Sequence, residues 1–121
     1  MTNTTEQQNL TRVLELNQWV QEGRALEAMG EFYSEDVRMQ ENTEAPTVGR
    51  EANLERERAF MANVAEWKRY EVVSAASNGD VTFTETIMEF ITQDGTKVRM
   101  EQATRARWEA GRIVDERFYH G

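Results

Sequence analysis

The chain has 121 residues with a formal charge of −8, 39% apolar and 9% aromatic content. That is enough for one core, too apolar for a disordered chain, and the wrong sign for a phosphate backbone or an anionic membrane surface. It has no cysteine and a single histidine, His120, which excludes a disulfide framework, a thiolate or histidine-rich metal site and a cysteine nucleophile.

Residues Met1 to Leu10 are polar and show no secretory leader pattern, and no apolar run is long enough for a transmembrane helix. A cytoplasmic location is the matching expectation. Thr4 or Thr5 is the expected cap of a first helix, with Gln7 or Gln8 as its reciprocal partner. Leu10, Val13, Leu14 and Val20 form its apolar stripe, widened by Leu16 and Trp19, and Gly23 is its expected stop. Ala25, Leu26, Met29, Phe32 and Tyr33 fall at one face of a short second helix. A strand over about Asp36 to Glu41 and a polar loop with the only proline, Pro46, come next. The third helix starts near Gly49 to Ala52, with Leu54, Met61 and Val64 on its inner side. Its Glu55 to Arg58 run of alternating charge reads as a solvated face.

From Trp67 onward the apolar period changes from helical to alternating. Asn78-Gly79, Asp94-Gly95 and Ala110-Gly111 separate the alternating runs, the first two being favoured for two-residue hairpin turns. Helices first and a four-strand meander after define an α+β layout, one domain over residues 1–121.

Two-residue turns set the register. One sheet face then carries Val81, Phe83, Glu85, Ile87, Glu89 and Ile91 opposite Trp108, Ala106, Thr104, Gln102, Met100 and Val98. Ile113, Asp115, Arg117 and Tyr119 continue it, with Val72, Tyr70 and Lys68 on the far side. This more apolar face is assigned to the helices; the threonine- and arginine-rich one faces water or a second subunit. Glu85, Glu89 and Asp115 on an apolar face require neutralisation by Arg117 and Lys68, a wet or ligand-filled pocket, or a β-bulge that turns them outward. All three readings stay open.

Several segments resemble the nuclear transport factor 2-like superfamily, in particular its SnoaL-like branch. They are Phe32-Tyr33-Ser34-Glu35-Asp36-Val37, Val48-Gly49-Arg50-Glu51-Ala52, Asn78-Gly79-Asp80-Val81, and Arg107 to Val114 at the close. The resemblance implies a cone-shaped half-barrel, with three N-terminal helices on a strongly curved antiparallel sheet and a cavity between them. It also implies a homodimer through the outer sheet face, and acid–base isomerase, cyclase, hydratase or hydrolase chemistry without a cofactor. A non-catalytic ligand-binding or association module is the alternative. The expected catalytic set is Glu85, with Arg117 to position it and Tyr119 to donate a hydrogen bond. The expected pocket lining is Trp19, Tyr33, Met39, Glu41, Trp67, Ile87, Glu89, Met100, Gln102 and Thr104, around a small apolar or amphipathic molecule. His120 reads mainly as a terminal residue near Glu101.

Overall fold

A computed structural model of the chain describes residues 4–121. Helix α1 spans Thr4–Gln21 and α2 Ala25–Phe32. Both candidate cap threonines lie inside the first turn of α1, and the residue preceding it is outside the described residues. Gly23 ends α1 as expected. At φ 81° it donates to the Val20 carbonyl, while Arg24 N–H reaches back to Trp19 at 2.9 Å, the double bond pattern of a glycine-terminated helix. Val13 and Leu16 are buried, but Leu14 is exposed, and the polar Asn9 and Asn17 take buried positions beside the stripe.

Strand β1, Tyr33–Glu41, follows α2 without a break, and the two-residue β2, Thr47–Val48, pairs with it. Helix α3, Arg50–Asn63, runs into the meander of β3 (Val64–Asn78), β4 (Val81–Thr92), β5 (Lys97–Glu109) and β6 (Arg112–His120). The strand order is β2-β1-β6-β5-β4-β3. Every pair is antiparallel except β1 with β6, so the sheet is mixed. The expected antiparallel meander of β3 to β6 stands, and β1 joins it at the one parallel seam, where two strands distant in sequence meet without a hairpin to set their direction. Val13, Leu16, Ala28, Met29, Phe32, Val37, Ala106, Trp108 and Ile113 form the core at one end, below α1 and α2.

The turns decide which side chains face the helices. Ala110-Gly111 is a two-residue turn as read, with positive φ at both residues and Glu109 opposite Arg112. Asp94-Gly95 is not. Gly95 N–H donates to Thr92 O and Thr92 N–H to Thr96 O, both at 2.9 Å, and only Gly95 has positive φ. That is a longer loop ending in a left-handed glycine, held by Asp94, which accepts from the Thr92 hydroxyl and Thr96 N–H. The shift is one residue, so Ile91 pairs with Lys97 and Glu85 with Ala103. Because side chains alternate, one residue turns all of β4 over. Thr82, Thr84, Thr86, Met88 and Phe90 are the buried face, and Phe83, Glu85 and their neighbours face out. The β5 assignment stands, with Ala106 and Trp108 buried.

The Asn78-Gly79 turn is likewise centred one residue later, on Gly79-Asp80, with Asn78 opposite Val81. Three register shifts along β3 accommodate it, so Arg69 rather than Lys68 pairs with Glu89. On β6 a bulge at Val114 shifts the pairing from Trp108–Ile113 to Arg107–Asp115. Beyond it Glu116 is buried where the unbroken alternation expects Asp115. Bulges of this kind add bend and twist to a sheet.

Candidate functional site

The bent sheet and the three helices enclose a cavity of about 680 Å³. Of the expected lining, Tyr33, Met39, Glu41, Trp67, Met100, Gln102 and Thr104 border it. Trp19 does not; it packs edge-on against Phe32 at 5.2 Å, beneath the Arg24 guanidinium. Ile87 and Glu89 lie on the outer face through the β4 shift, and Glu89 pairs there with Arg69 at 3.2 Å and Arg99 at 3.4 Å.

The expected catalytic set is dispersed for the same reason. Glu85 is exposed between Ser74 and Ala103 on the outer face. The Val114 bulge sends Arg117 and Tyr119 out too. Arg117 donates to Asn42 O at 2.8 Å and sits over the Tyr119 ring, and Tyr119 is 40% exposed. Asp115 leaves the inner face with them and lies 3.8 Å from Arg105.

The group the register reading missed is Glu116. It is 3% exposed, borders the cavity, and accepts a 2.5 Å hydrogen bond from the Tyr33 hydroxyl. Tyr33 starts β1 immediately after α2, which holds its ring against the core. Loss of solvation pushes the Glu116 carboxyl up to about 8; the Tyr33 hydrogen bond opposes this, while the charge of Glu57 adds to it. The Tyr33 hydroxyl is raised by burial and by facing Glu116. Near neutral pH the pair is therefore a protonated acid beside a neutral phenol. Nothing in the alternation of the sequence marks the Val114 bulge, so Glu116 could not be picked out from Asp115 without the fold.

Further polar groups border the same space. Tyr70 donates to Asn17 Oδ1 at 2.6 Å, and the Asn17 amide is anchored on Val13 O. Burial raises the Tyr70 phenol. Helix α3 contributes Asn53, Arg56, Glu57, Phe60 and Met61. Glu57 belongs to the charge run read as solvated, and that reading holds for Glu55 and Arg58, which pair with each other. It fails for Glu57, which is half-buried toward the cavity and whose carboxyl is raised by desolvation. His120 also borders the cavity, facing Gln102 across the ladder rather than lying near Glu101, with its Nε2 2.8 Å from Glu41 Oε2. Among the described residues no group of three or more His, Cys, Asp and Glu side chains is placed to hold a metal ion. No helix among them is long and apolar enough to cross a membrane.

Three helices on an open six-stranded mixed sheet, with a cavity on its concave face, define an α+β protein of the nuclear transport factor 2-like class. The chain belongs to the SnoaL-like domain family, whose model matches residues 13–116. A Mesorhizobium loti protein assigned as a SnoaL-like polyketide cyclase superposes with a TM-score of 0.80 at 21% identity, over 90% of this chain and 96% of that one. An NTF2-like protein of unknown function from Burkholderia pseudomallei gives 0.82 at 16% identity, over 94% and 91%. An LEH-like epoxide hydrolase of M. tuberculosis gives 0.79 at 14% identity, over 96% and 84%. At these identities the likeness establishes the fold. No curated protein matches the chain.

Proposed function

We propose that the cavity receives a small, largely apolar molecule carrying a carbonyl-type oxygen, and that Glu116 with Tyr33 exchanges a proton with it. The reaction class is isomerisation, cyclisation or water addition, steps that acid–base groups of the chain supply by themselves. The observation that carries this reading is the buried Glu116–Tyr33 pair at the cavity wall. A carboxyl near pH 8 holds its proton for donation at neutrality, yet its anion is accessible as a base. The protein assigned as a SnoaL-like polyketide cyclase and the LEH-like epoxide hydrolase, both of the same fold, support the class of chemistry by analogy.

The test uses 2-tetralone, an enolisable apolar ketone, with deuterium incorporation next to its carbonyl followed by NMR. Catalysed exchange is expected, falling about 100-fold in Glu116→Gln, the usual size of a lost general acid–base group. Exchange that survives the substitution rejects Glu116. Saturable binding without exchange leaves a ligand-binding module.

The outer face supports self-association in the same reading. Turning β4 over places Phe83, 47% exposed, on that face with Ile87, and the β6 bulge adds Tyr119. Around them run opposite charges, Arg69, Glu89, Arg99 and Glu101 among them. Such a pattern complements a second copy of itself. Phe83→Glu is expected to lower the sedimentation coefficient from a dimer to a monomer value at micromolar concentration. A monomeric wild-type chain counts against the interface.

A further inference from the structure

We infer that the cavity grips its ligand at both ends, and that His120, oriented by Glu41, is a second binding site that accepts a hydrogen bond from a ligand hydroxyl. This assignment rests on the proposed reading of the inner end, where Glu116 and Tyr33 meet a ligand oxygen, and the experiment below separates the two.

Glu116 and His120 lie on the same face of β6, four residues apart, with Phe118 between them, and all three border the cavity. At about 3.3 Å per strand residue their Cα atoms are roughly 13 Å apart. That is far too long for both to act on one functional group and well suited to the two ends of a small ligand. The ends also differ in depth. Glu116 lies deep, 3% exposed as a residue, whereas the His120 side chain is 20% and that of Glu41 30% exposed, at the mouth.

The imidazole is positioned. Its Nε2 lies 2.8 Å from Glu41 Oε2, while the other Glu41 oxygen is 4.0 Å from Arg56 Nη2. In the neutral imidazole, with the carboxylate accepting, Nε2 carries the hydrogen and Nδ1 keeps its lone pair, so the second nitrogen is an acceptor. The backbone is held as firmly. His120 N–H donates to Asn42 Oδ1 at 2.9 Å, Asn42 N–H donates to Phe118 O at 2.7 Å, and Arg117 Nε donates to Asn42 O at 2.8 Å. Asn42 takes a left-handed φ of 48° to do this, a conformation asparagine tolerates better than most residues. The clasp ties the end of β6 to the end of β1, which fixes both members of the His120–Glu41 pair.

The surroundings say what the second nitrogen meets. Gln102, next to His120 on β5, borders the cavity with only a 3.4 Å contact to Thr104 Oγ1. Glu41, Glu44 and Glu57 border the cavity as well, and each cation that borders it is held by a carboxylate, Arg56 by Glu41, Lys68 by Glu66 at 2.9 Å and Arg69 by Glu71 and Glu89, which disfavours an anion. A neutral donor fits; a carboxylate does not. Between the two ends the wall is soft. Every methionine among the described residues, Met29, Met39, Met61, Met88 and Met100, borders this cavity. Thioether side chains adapt to many apolar shapes, which leaves discrimination to the polar ends. The ligand class is thus a neutral, elongated, apolar molecule with a carbonyl at one end and an alcohol or phenol at the other.

The experiment uses four probes: 4-hydroxychalcone, 4-methoxychalcone, the carbonyl-free 4-hydroxystilbene, and 4-carboxychalcone. Dissociation constants are read from quenching of tryptophan fluorescence, since Trp67 borders the cavity. The wild-type protein is expected to prefer 4-hydroxychalcone over 4-methoxychalcone at least tenfold and to exclude 4-carboxychalcone. His120→Phe is expected to reduce the hydroxyl preference to less than twofold and to leave the preference for 4-hydroxychalcone over 4-hydroxystilbene intact. Glu41→Gln is expected to weaken the hydroxyl preference partly, with a thermal unfolding midpoint near that of the wild type. A hydroxyl preference that survives His120→Phe, or that the wild type lacks, overturns the assignment, as does an absence of saturable binding by 4-hydroxychalcone. A His120-dependent hydroxyl preference without any carbonyl preference upholds the mouth site and rejects the Glu116 end.

Discussion

Glu116→Gln is expected to flatten the loss of stability that the wild-type protein shows as pH rises from about 5 to about 8. The sign follows from proton counting. Glu116 is raised from the usual 4.5 to about 8 in the folded chain by desolvation, opposed by the Tyr33 hydrogen bond and reinforced by Glu57. Between those limits the folded state holds a proton that the unfolded state has released, so unfolding becomes easier with each step upward in pH. The slope reaches at most about 1.4 kcal/mol per pH unit, and the whole window is worth several kcal/mol, on the order of a third of a typical domain's stability. Glutamine keeps the shape and can still meet the Tyr33 hydroxyl, but it has no proton to lose. Urea unfolding at intervals from pH 4.5 to 8.5 measures the slope for both proteins. Glu57 is raised as well and contributes in the same direction, so a residual slope in the variant is expected to disappear in Glu57→Gln/Glu116→Gln. An equal slope in wild type and Glu116→Gln would show that the carboxyl is not buried as a neutral acid.

The second large effect is at Trp108. Its side chain is 2% exposed in the core beside Ile113, and its indole N–H donates to Thr82 Oγ1 at 2.9 Å. Trp108→Ala is expected to cost about 3–5 kcal/mol, from lost burial and from the cavity left behind. For a domain whose total stability is of order 5–15 kcal/mol, that brings unfolding close to ambient conditions. Trp108→Phe separates the terms. It keeps most of the apolar volume but leaves the fully buried Thr82 hydroxyl without its donor, at a cost of about 1–3 kcal/mol. Chemical denaturation midpoints measure both. A change below 1 kcal/mol in Trp108→Ala would mean that this strand pairing does not bury the ring. Thr82 lies opposite Ala106, the inner position that an unshifted register gives to Phe83, so the same experiment tests the register of β4.

The elements themselves were legible because each rests on local chemistry. Gly23 stops α1 through its left-handed conformation, and Ala110-Gly111 makes a tight turn because both residues adopt positive φ. Of the expected α2 face Met29 and Phe32 are buried, as is Tyr33, which instead begins β1, while Ala25 and Leu26 are half-buried. The inner face of β5 was also legible, since Met100, Gln102, Thr104, Ala106 and Trp108 alternate without interruption. The β4 face was not. Asp94-Gly95 suits a two-residue turn and a longer glycine-ended loop equally well, and the choice moves the partner strand by one residue. With Thr82, Thr84 and Thr86 on one side and Phe83, Glu85 and Ile87 on the other, hydropathy pointed to the wrong side. The threonine face is buried because one hydroxyl takes the Trp108 indole and the others sit against a polar-lined cavity.

Carboxylates on the concave face were a correct kind of expectation attached to the wrong residues. Glu85 and Glu89 face out, and Glu116 faces in, because a loop one residue longer and a bulge at Val114 each reverse a strand. What the amino-acid sequence determined by itself was the order of the helices and the longer strands, though not the two-residue β2 within the polar loop, the α+β class and the presence of a half-polar, half-apolar sheet, all of which follow from short-range periodicity and turn residues. What only the tertiary structure decided was the identity of the groups in the cavity. The Glu116–Tyr33 pair joins positions 83 residues apart, and His120–Glu41 joins positions 79 apart. Such pairs depend on the parallel seam of β1 with β6 and on the bulge that aims β6 inward, and neither leaves a trace in local pattern.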